Sequence, residues 1–247
     1  MIDLNRLTPH ALSTEPYRWA FVDRLFSPAD CADLVKTFPH DHFKTIKGYD
    51  GEKGYQYEAR SLIAMGADVP TRAQFLSPAW QCLAADLLSP AYREAMSHLT
   101  AVQLADLPIE ANVFHYGRSA WLGPHVDLPD KVMTHVFYFN EVWDQSDGGC
   151  LTILRAGDVT QIVKVIPPLV GNSVVVVRSE NSWHAVSLVR EKCRSSRRSM
   201  TVTFYRPGSP STLWPVDDVT PLHDCTGEHS GWSRFARQGW RRIRSWR

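Results

Sequence analysis

A mainly β chain with helices toward its N-terminus, built on a double-stranded β-helix (jelly-roll, cupin-like) core, is what this 247-residue sequence predicts. Three observations carry that expectation. From Ile109 onward, short runs rich in Val, Ile, Thr, Phe and Tyr follow one another, each bounded by Gly, Pro, Asn or Asp. No stretch of helical period separates them, which excludes alternating βαβ units and favours an antiparallel sandwich or barrel. Ahead of them, Ser27-Pro28, Ser77-Pro78 and Ser89-Pro90 each read as a helix cap followed by proline at the first helical position.

In chain order, residues 19–26 read as a short strand, and Ser27 opens a helix to about Phe38. Residues 48–63 read as a loop and then a strand over 55–62. Helices are expected over about 78–87 and 90–98, lying against the outside of a sheet. The β runs are 111–116, 133–140, 150–153, 161–166, 173–178, 184–189 and 199–205. The organisation expected is one domain over residues 1–206, with a helical buttress at about 27–100 and the jelly roll at about 109–206. The Pro207-Gly208-Ser209-Pro210 break then starts a separate appendage, 207–247. Within it Trp232, Phe235, Ala236, Trp240 and Ile243 fall on one helical stripe, with Arg234, Arg237, Arg241 and Arg244 largely elsewhere. Such a basic amphipathic helix could meet an anionic membrane surface, an acidic carrier protein or nucleic acid, or dock on the protein's own body or a dimer mate.

Bulk properties set outer bounds. With 27 basic and 26 acidic residues, nothing global suggests a nucleic-acid partner. The start lacks the basic and apolar regions of a secretory signal, and no apolar run reaches the ~20 residues that span a bilayer. Five scattered cysteines without a CxxC pair read as reduced thiols in a cytoplasm, neither a disulfide framework nor a zinc site.

The chemistry sits in His125-Val126-Asp127 and in His184, 57 residues further on. On an extended strand, residues two apart share a face, so His125 and Asp127 can meet one ion. Two imidazoles and a carboxylate on one side of iron(II) leave adjacent positions for a bidentate co-substrate and O2. An H-x-D tripeptide alone is weak, and the bland alternative is a loop histidine with Asp127 as a turn former. The flanking β runs and the partner histidine favour the metal site.

These residues resemble a known family, the prolyl-4-hydroxylase-like branch of the iron(II)/2-oxoglutarate-dependent dioxygenases, over roughly 110–206. Asn112-Val113-Phe114-His115-Tyr116-Gly117 and Pro124-His125-Val126-Asp127 look like the family's approach to H-x-D. Residues 131–140 (KVMTHVFYFN), Gly148-Gly149-Cys150-Leu151 and Trp183-His184-Ala185-Val186 are similar to its next strands, and residues 197–204 (RRSMTVTF) to the strand with its 2-oxoglutarate-binding basic residue. The loop 189–196 is longer and more basic than the family pattern. The resemblance implies iron(II), 2-oxoglutarate and O2, with hydroxylation of an unactivated C–H and release of succinate and CO2. Asp127 fills the place that related halogenases leave for chloride, which points to hydroxylation.

A buried co-substrate carboxylate needs a guanidinium. Parity puts Arg197 and Ser199 together in the pocket if Met200, Val202 and Phe204 face the helices; Arg198 is the rival. The resemblance adds Tyr138, Thr134 and Tyr116 beside the co-substrate. Trp121 and Trp183 are either walls of a substrate pocket or fillers of the barrel ends. His115 and His135 read as structural, and residues 47–60 as a covering loop or a solvated one. The expected substrate is a small molecule, an amino acid or a biosynthetic intermediate. The alternatives are a protein residue or carrier-tethered substrate, and a non-catalytic jelly-roll module.

Overall fold

The computed structural model describes residues 1–8, 11–49 and 54–225. Helices α1 (Pro28–Lys36), α2 (Pro78–Leu88) and α3 (Pro90–Thr100) start at the expected caps. Ser27, Ser77 and Ser89 each accept a backbone N–H from three residues on, and a proline follows each; such caps contribute about 1 kcal/mol apiece. The strands are β1 (Leu12–Ser13), β2 (Trp19–Val22), β3 (Lys44–Tyr49), β4 (Gly54–Ile63), β5 (Ile109–Tyr116), β6 (Trp121–His125), β7 (Lys131–Tyr138), β8 (Leu151–Leu154), β9 (Ile162–Ile166), β10 (Ser173–Val177), β11 (His184–Val186) and β12 (Arg197–Tyr205).

All pair antiparallel, in the order β1-β2-β10-β7-β12-β5-β4-β6-β11-β8-β9, with β3 added on β4. The sheet rolls up. Thr134 on β7 hydrogen-bonds Asp127 just after β6, although three strands separate β7 from β6 in the sheet order. The result is the jelly-roll core that the sequence predicts.

Strand β12 shows how the two faces divide. Met200, Val202 and Phe204 pack outward with Trp80, Leu83, Leu87, Tyr92 and Met96 of α2 and α3. Arg197, Ser199 and Thr203, at the other parity, are buried on the inner side. There Phe114, Tyr116, Tyr138, Leu151, Ile153, Val174 and Val176 form a second apolar cluster. Period-2 alternation thus gives one strand a helix-facing side and a site-facing side.

Three expectations need correction. Residues 47–49 are strand rather than loop: β3 and β4 form a hairpin that joins the main sheet through β4–β5, so the region 27–100 is not simply a helical buttress. A loop reading fails here because the polar Lys, Gln and Glu of this hairpin alternate with Tyr57, Ala59 and Ile46, which pack inside. Strand β6 did not figure among the expected runs, and His125 ends it while Asp127 follows it outside any strand. Residues 207–225 are no free-standing appendage. Ser211 donates to Glu110, Trp214 Nε1 donates to Asn112 at 2.7 Å, Lys44 pairs with Asp218, and His223 bridges Phe43. The basic helix expected over 232–247 lies outside the described residues.

His135 faces the helices, as its parity predicts. It is fully buried, and its Nδ1 is 2.9 Å from the Tyr92 hydroxyl. Burial lowers its pKa from 6.5 to about 3. The unfolded chain therefore takes up a proton that the folded chain refuses, so stability is full above the unfolded value and falls as pH drops toward 3. His135→Gln is expected to flatten that part of the profile, read as urea midpoints between about pH 7 and pH 4. An unchanged slope assigns the acid lability elsewhere.

Candidate active site

His125 and His184 are direct cross-strand partners on β6 and β11. Their rings lie 4.3 Å apart between centroids. Asp127 curls back beside them, so that one ligand atom from each of the three falls within 4.8 Å of the others. All three side chains are buried. The histidine Nδ1 atoms donate to main-chain carbonyls, His125 to Gly123 and His184 to Ser182, each at 2.9 Å. With Nδ1 as donor, Nε2 carries the lone pair, the arrangement that metal-binding histidines adopt. Two neutral imidazoles and one carboxylate, a donor set of single negative charge, could hold one divalent ion.

Both Asp127 oxygens are engaged. Lys131 Nζ donates to Oδ1 at 2.7 Å, and Thr134 Oγ1 donates to Oδ2 at 2.9 Å. Burial opposes ionisation of this acid, yet the Lys131 ammonium, together with the charge of the two histidine rings when they are protonated, outweighs it and holds the carboxyl far below its ordinary range. Lys131 is a residue that sequence reasoning missed. Its signal was available: a lysine four residues beyond the acid, at the start of the next strand. Thr134 was expected beside the co-substrate; the structure sets its hydroxyl on Asp127 instead, with Thr203 of β12 as its other neighbour.

A second set lies further along the same inner face. Arg197 and Ser199 on β12 are flanked by Tyr116 on β5 and Tyr138 on β7. The Arg197 guanidinium lies 4.7 Å from the Tyr116 ring centre and 5.5 Å from that of Tyr138, and donates to Ser199 Oγ. It is only 2% exposed, and its Nε has no hydrogen-bond partner among the described residues; nor does the buried Tyr138 hydroxyl. Burial raises the Tyr116 hydroxyl to about 12 and Tyr138 higher still, so both stay protonated donors. A buried cation with an unpaired N–H beside an unpaired O–H fits a bound carboxylate.

Arg198 points the other way, its guanidinium 5.3 Å from the Phe38 ring on the helix side. The geometry therefore separates the two arginines. Asn140 brackets Arg197: its Nδ2 donates to the Ser196 carbonyl at 2.7 Å and its Oδ1 accepts from Arg198 N at 2.8 Å. Gly148 and Gly149 adjoin this end. A Cβ at Gly148 would fall 1.9 Å from the Leu188 carbonyl, so only glycine lets the two segments approach.

Trp121 and Trp183 are half-buried at the ends of this face. The Trp121 indole rests over Gly54, and the Trp183 ring over Gly157, where an added Cβ would come within 3.1 Å of it. The Trp183 carbonyl accepts the Tyr17 hydroxyl at 2.7 Å. Strand β4 passes close by: Tyr57 stacks on Tyr116 with ring centres 5.3 Å apart.

Residues 111–205 match the family model of the 2OG-Fe(II) oxygenase superfamily. No relative among curated proteins matches the chain. Three solved structures are similar in fold. A Trichoplax adhaerens prolyl hydroxylase, in complex with a hypoxia inducible factor peptide, shares 15% identity at TM-score 0.51, covering 83% of this chain and 87% of its own. AviO1 from Streptomyces viridochromogenes Tue57 shares 12% at TM-score 0.52, covering 85% and 98%. A Burkholderia pseudomallei oxidoreductase of the 2OG-Fe(II) oxygenase family shares 15% at TM-score 0.50, covering 76% and 84%. That family uses iron(II), 2-oxoglutarate and O2, and its matched segment contains both buried residue sets. Sequence match and fold thus converge on one segment: residues 111–205, which form most of the jelly-roll core, match the 2OG-Fe(II) oxygenase superfamily.

Proposed function

We propose that the enzyme hydroxylates an unactivated C–H of a small molecule, an amino acid or biosynthetic intermediate, with release of succinate and CO2. The observation that carries the reading is the pairing of a buried His-Asp-His set with a buried, under-satisfied Arg197 and Tyr138 on one inner face. His125, Asp127 and His184 are the residues that would hold iron(II), which supplies the oxidising chemistry when bound. Arg197, Ser199 and Tyr138 would grip the distal carboxylate of 2-oxoglutarate, with Tyr116 forming an aromatic wall. The carbonyls of Gly123 and Ser182 set the histidine tautomers, and Lys131 and Thr134 keep Asp127 ionised and aimed. Trp121 and Trp183 are proposed to border the substrate, at the rim where the β3–β4 hairpin approaches.

A small substrate is favoured because the elements described outside the barrel are attached to it. Helices α1 to α3 cover the outer face and residues 207–225 wrap the sheet. The free cysteines suit a reducing cytoplasm, and no helix among the described residues is long and apolar enough to cross a membrane. The test supplies iron(II), 2-oxoglutarate and a metabolite panel, and reads succinate and a mass gain of one oxygen. Turnover of a peptide such as the Trichoplax enzyme's partner, with every small molecule inert, rejects the small-molecule reading. Thr134→Val should weaken iron(II) binding about 10–100-fold, as loss of a partner that orients a ligand does. Iron titration of the apoprotein measures it, and unchanged affinity removes Thr134 from that role.

A further inference from the structure

On the outer face of the same sheet, away from the inner residues just described, four side chains with ligand chemistry converge. Glu58 on β4 and His115 on β5 are direct cross-strand partners. Their neighbours Phe114 and Tyr116 point inward, so Glu58 and His115 point outward. The segment after β12 delivers the others: the His223–Phe43 bridge turns the chain around edge strand β3, and Cys225 N donates to the His40 carbonyl. Glu58 Oε2 is 2.8 Å from His115 Nδ1 and 2.7 Å from Cys225 Sγ, while Oε1 is 2.8 Å from His223 Nε2. Ligand atoms of Glu58, His115 and Cys225 all lie within 4.8 Å of one another.

We infer that Glu58, His115 and Cys225 form a second metal site, for a borderline divalent ion such as Zn2+, with His223 orienting the carboxylate. Two donors crowd one carboxylate oxygen, and one of them is a thiol, ordinarily a weak donor. Thiolate, imidazole and carboxylate are together the donor set of zinc, whereas iron(II) at the inner triad meets no sulfur. One ion replaces the thiol proton and the imidazole contact on Glu58 and releases a proton on binding. Cysteine spacing in the sequence argued against zinc because the ligands come from three distant segments, two of them strands joined only by the sheet. The ion clips residues 207–225 to the barrel and covers edge strand β3, which would otherwise offer unpaired backbone groups.

Cobalt(II) is the probe, because a cobalt–thiolate bond gives a near-ultraviolet charge-transfer band that nitrogen and oxygen ligands do not. The full chain, stripped with a chelator, is titrated with Co2+ alongside His125→Ala, Cys225→Ser and Glu58→Gln. The expected result is two equivalents bound by the wild type and one by His125→Ala, with the thiolate band in both. Cys225→Ser should lose the band and one equivalent while its circular dichroism stays native, and Glu58→Gln should bind that equivalent at least tenfold more weakly. Zn2+ should displace the cobalt. A wild-type spectrum without the thiolate band overturns the inference, whether or not Cys225→Ser folds. A band that persists in a folded Cys225→Ser protein overturns it equally. A single equivalent bearing the band in the wild type would keep this site and reject the inner one, so the two assignments fail separately.

Discussion

Replacing His125 with alanine is expected to abolish iron(II) retention and 2-oxoglutarate-dependent succinate formation together, while leaving the fold intact. Losing a partner that merely orients a ligand costs about 10–100-fold in affinity. Removing one of three ligands takes away the bond itself, so the loss should exceed that range. His125 ends a strand and sits 4% exposed opposite His184, so truncation leaves a small polar gap rather than a collapsed core. The expected readouts are iron content after desalting, succinate by mass, and a near-ultraviolet circular dichroism spectrum like the wild type. A His125→Ala protein that binds iron as tightly as the wild type sinks the assignment of the triad. His184→Ala should behave alike, because the two rings face each other across one strand pair. Asp127→Ala should do more, since it also strands Lys131 and Thr134 without their acceptor.

What the sequence made legible follows a single physical rule: alternation along a strand survives any error in the strand's ends. Parity grouped Arg197 with Ser199 and set Met200, Val202 and Phe204 on the opposite face, and it turned His135 away from Tyr138. Arg198 stayed the rival until the structure showed which face meets the helices. The cap-plus-proline signals at Ser27, Ser77 and Ser89 set helix starts to the residue, because a cap is a local hydrogen bond that needs no tertiary partner. Strand β6 was illegible for the opposite reason. Trp121-Leu122-Gly123-Pro124-His125 contains both breakers of a strand pattern, and the proline is tolerated only because β6 pairs in short registers with β4 and β11. The β3–β4 hairpin was hidden by polar residues that face the wrapped tail. Lys44, the clearest case, is buried against Trp214 and paired with Asp218, contacts that arise 170 residues later in the chain and leave no local trace. The Glu58, His115 and Cys225 cluster is the extreme of this kind, since only the sheet register brings its parts together.

Arg197→Leu is expected to raise the KM for 2-oxoglutarate by about 30-fold to several thousand-fold, because stranding one partner of a buried charge pair costs roughly 2–5 kcal/mol. The guanidinium is buried among Tyr116, Tyr138 and Ser199, so no solvent can substitute for it when the co-substrate carboxylate arrives. Arg197→Lys should recover only part of the loss. A lysine keeps the charge but gives up the planar fork and the stacking on Tyr116. Tyr138→Phe should raise the same KM by about tenfold, the worth of one hydrogen bond to a charged group. Arg198→Leu supplies the control that the sequence alone could not choose. Its side chain lies against Phe38 on the helix side, so it should shift the denaturation midpoint and leave the KM within about twofold. These four variants, measured by 2-oxoglutarate consumption and urea unfolding, separate grip from scaffold. Should Arg198→Leu raise the KM while Arg197→Leu leaves it unchanged, the inner face of β12 is not the co-substrate's seat. The unpaired Nε of Arg197 and hydroxyl of Tyr138 would then need another anion to explain them.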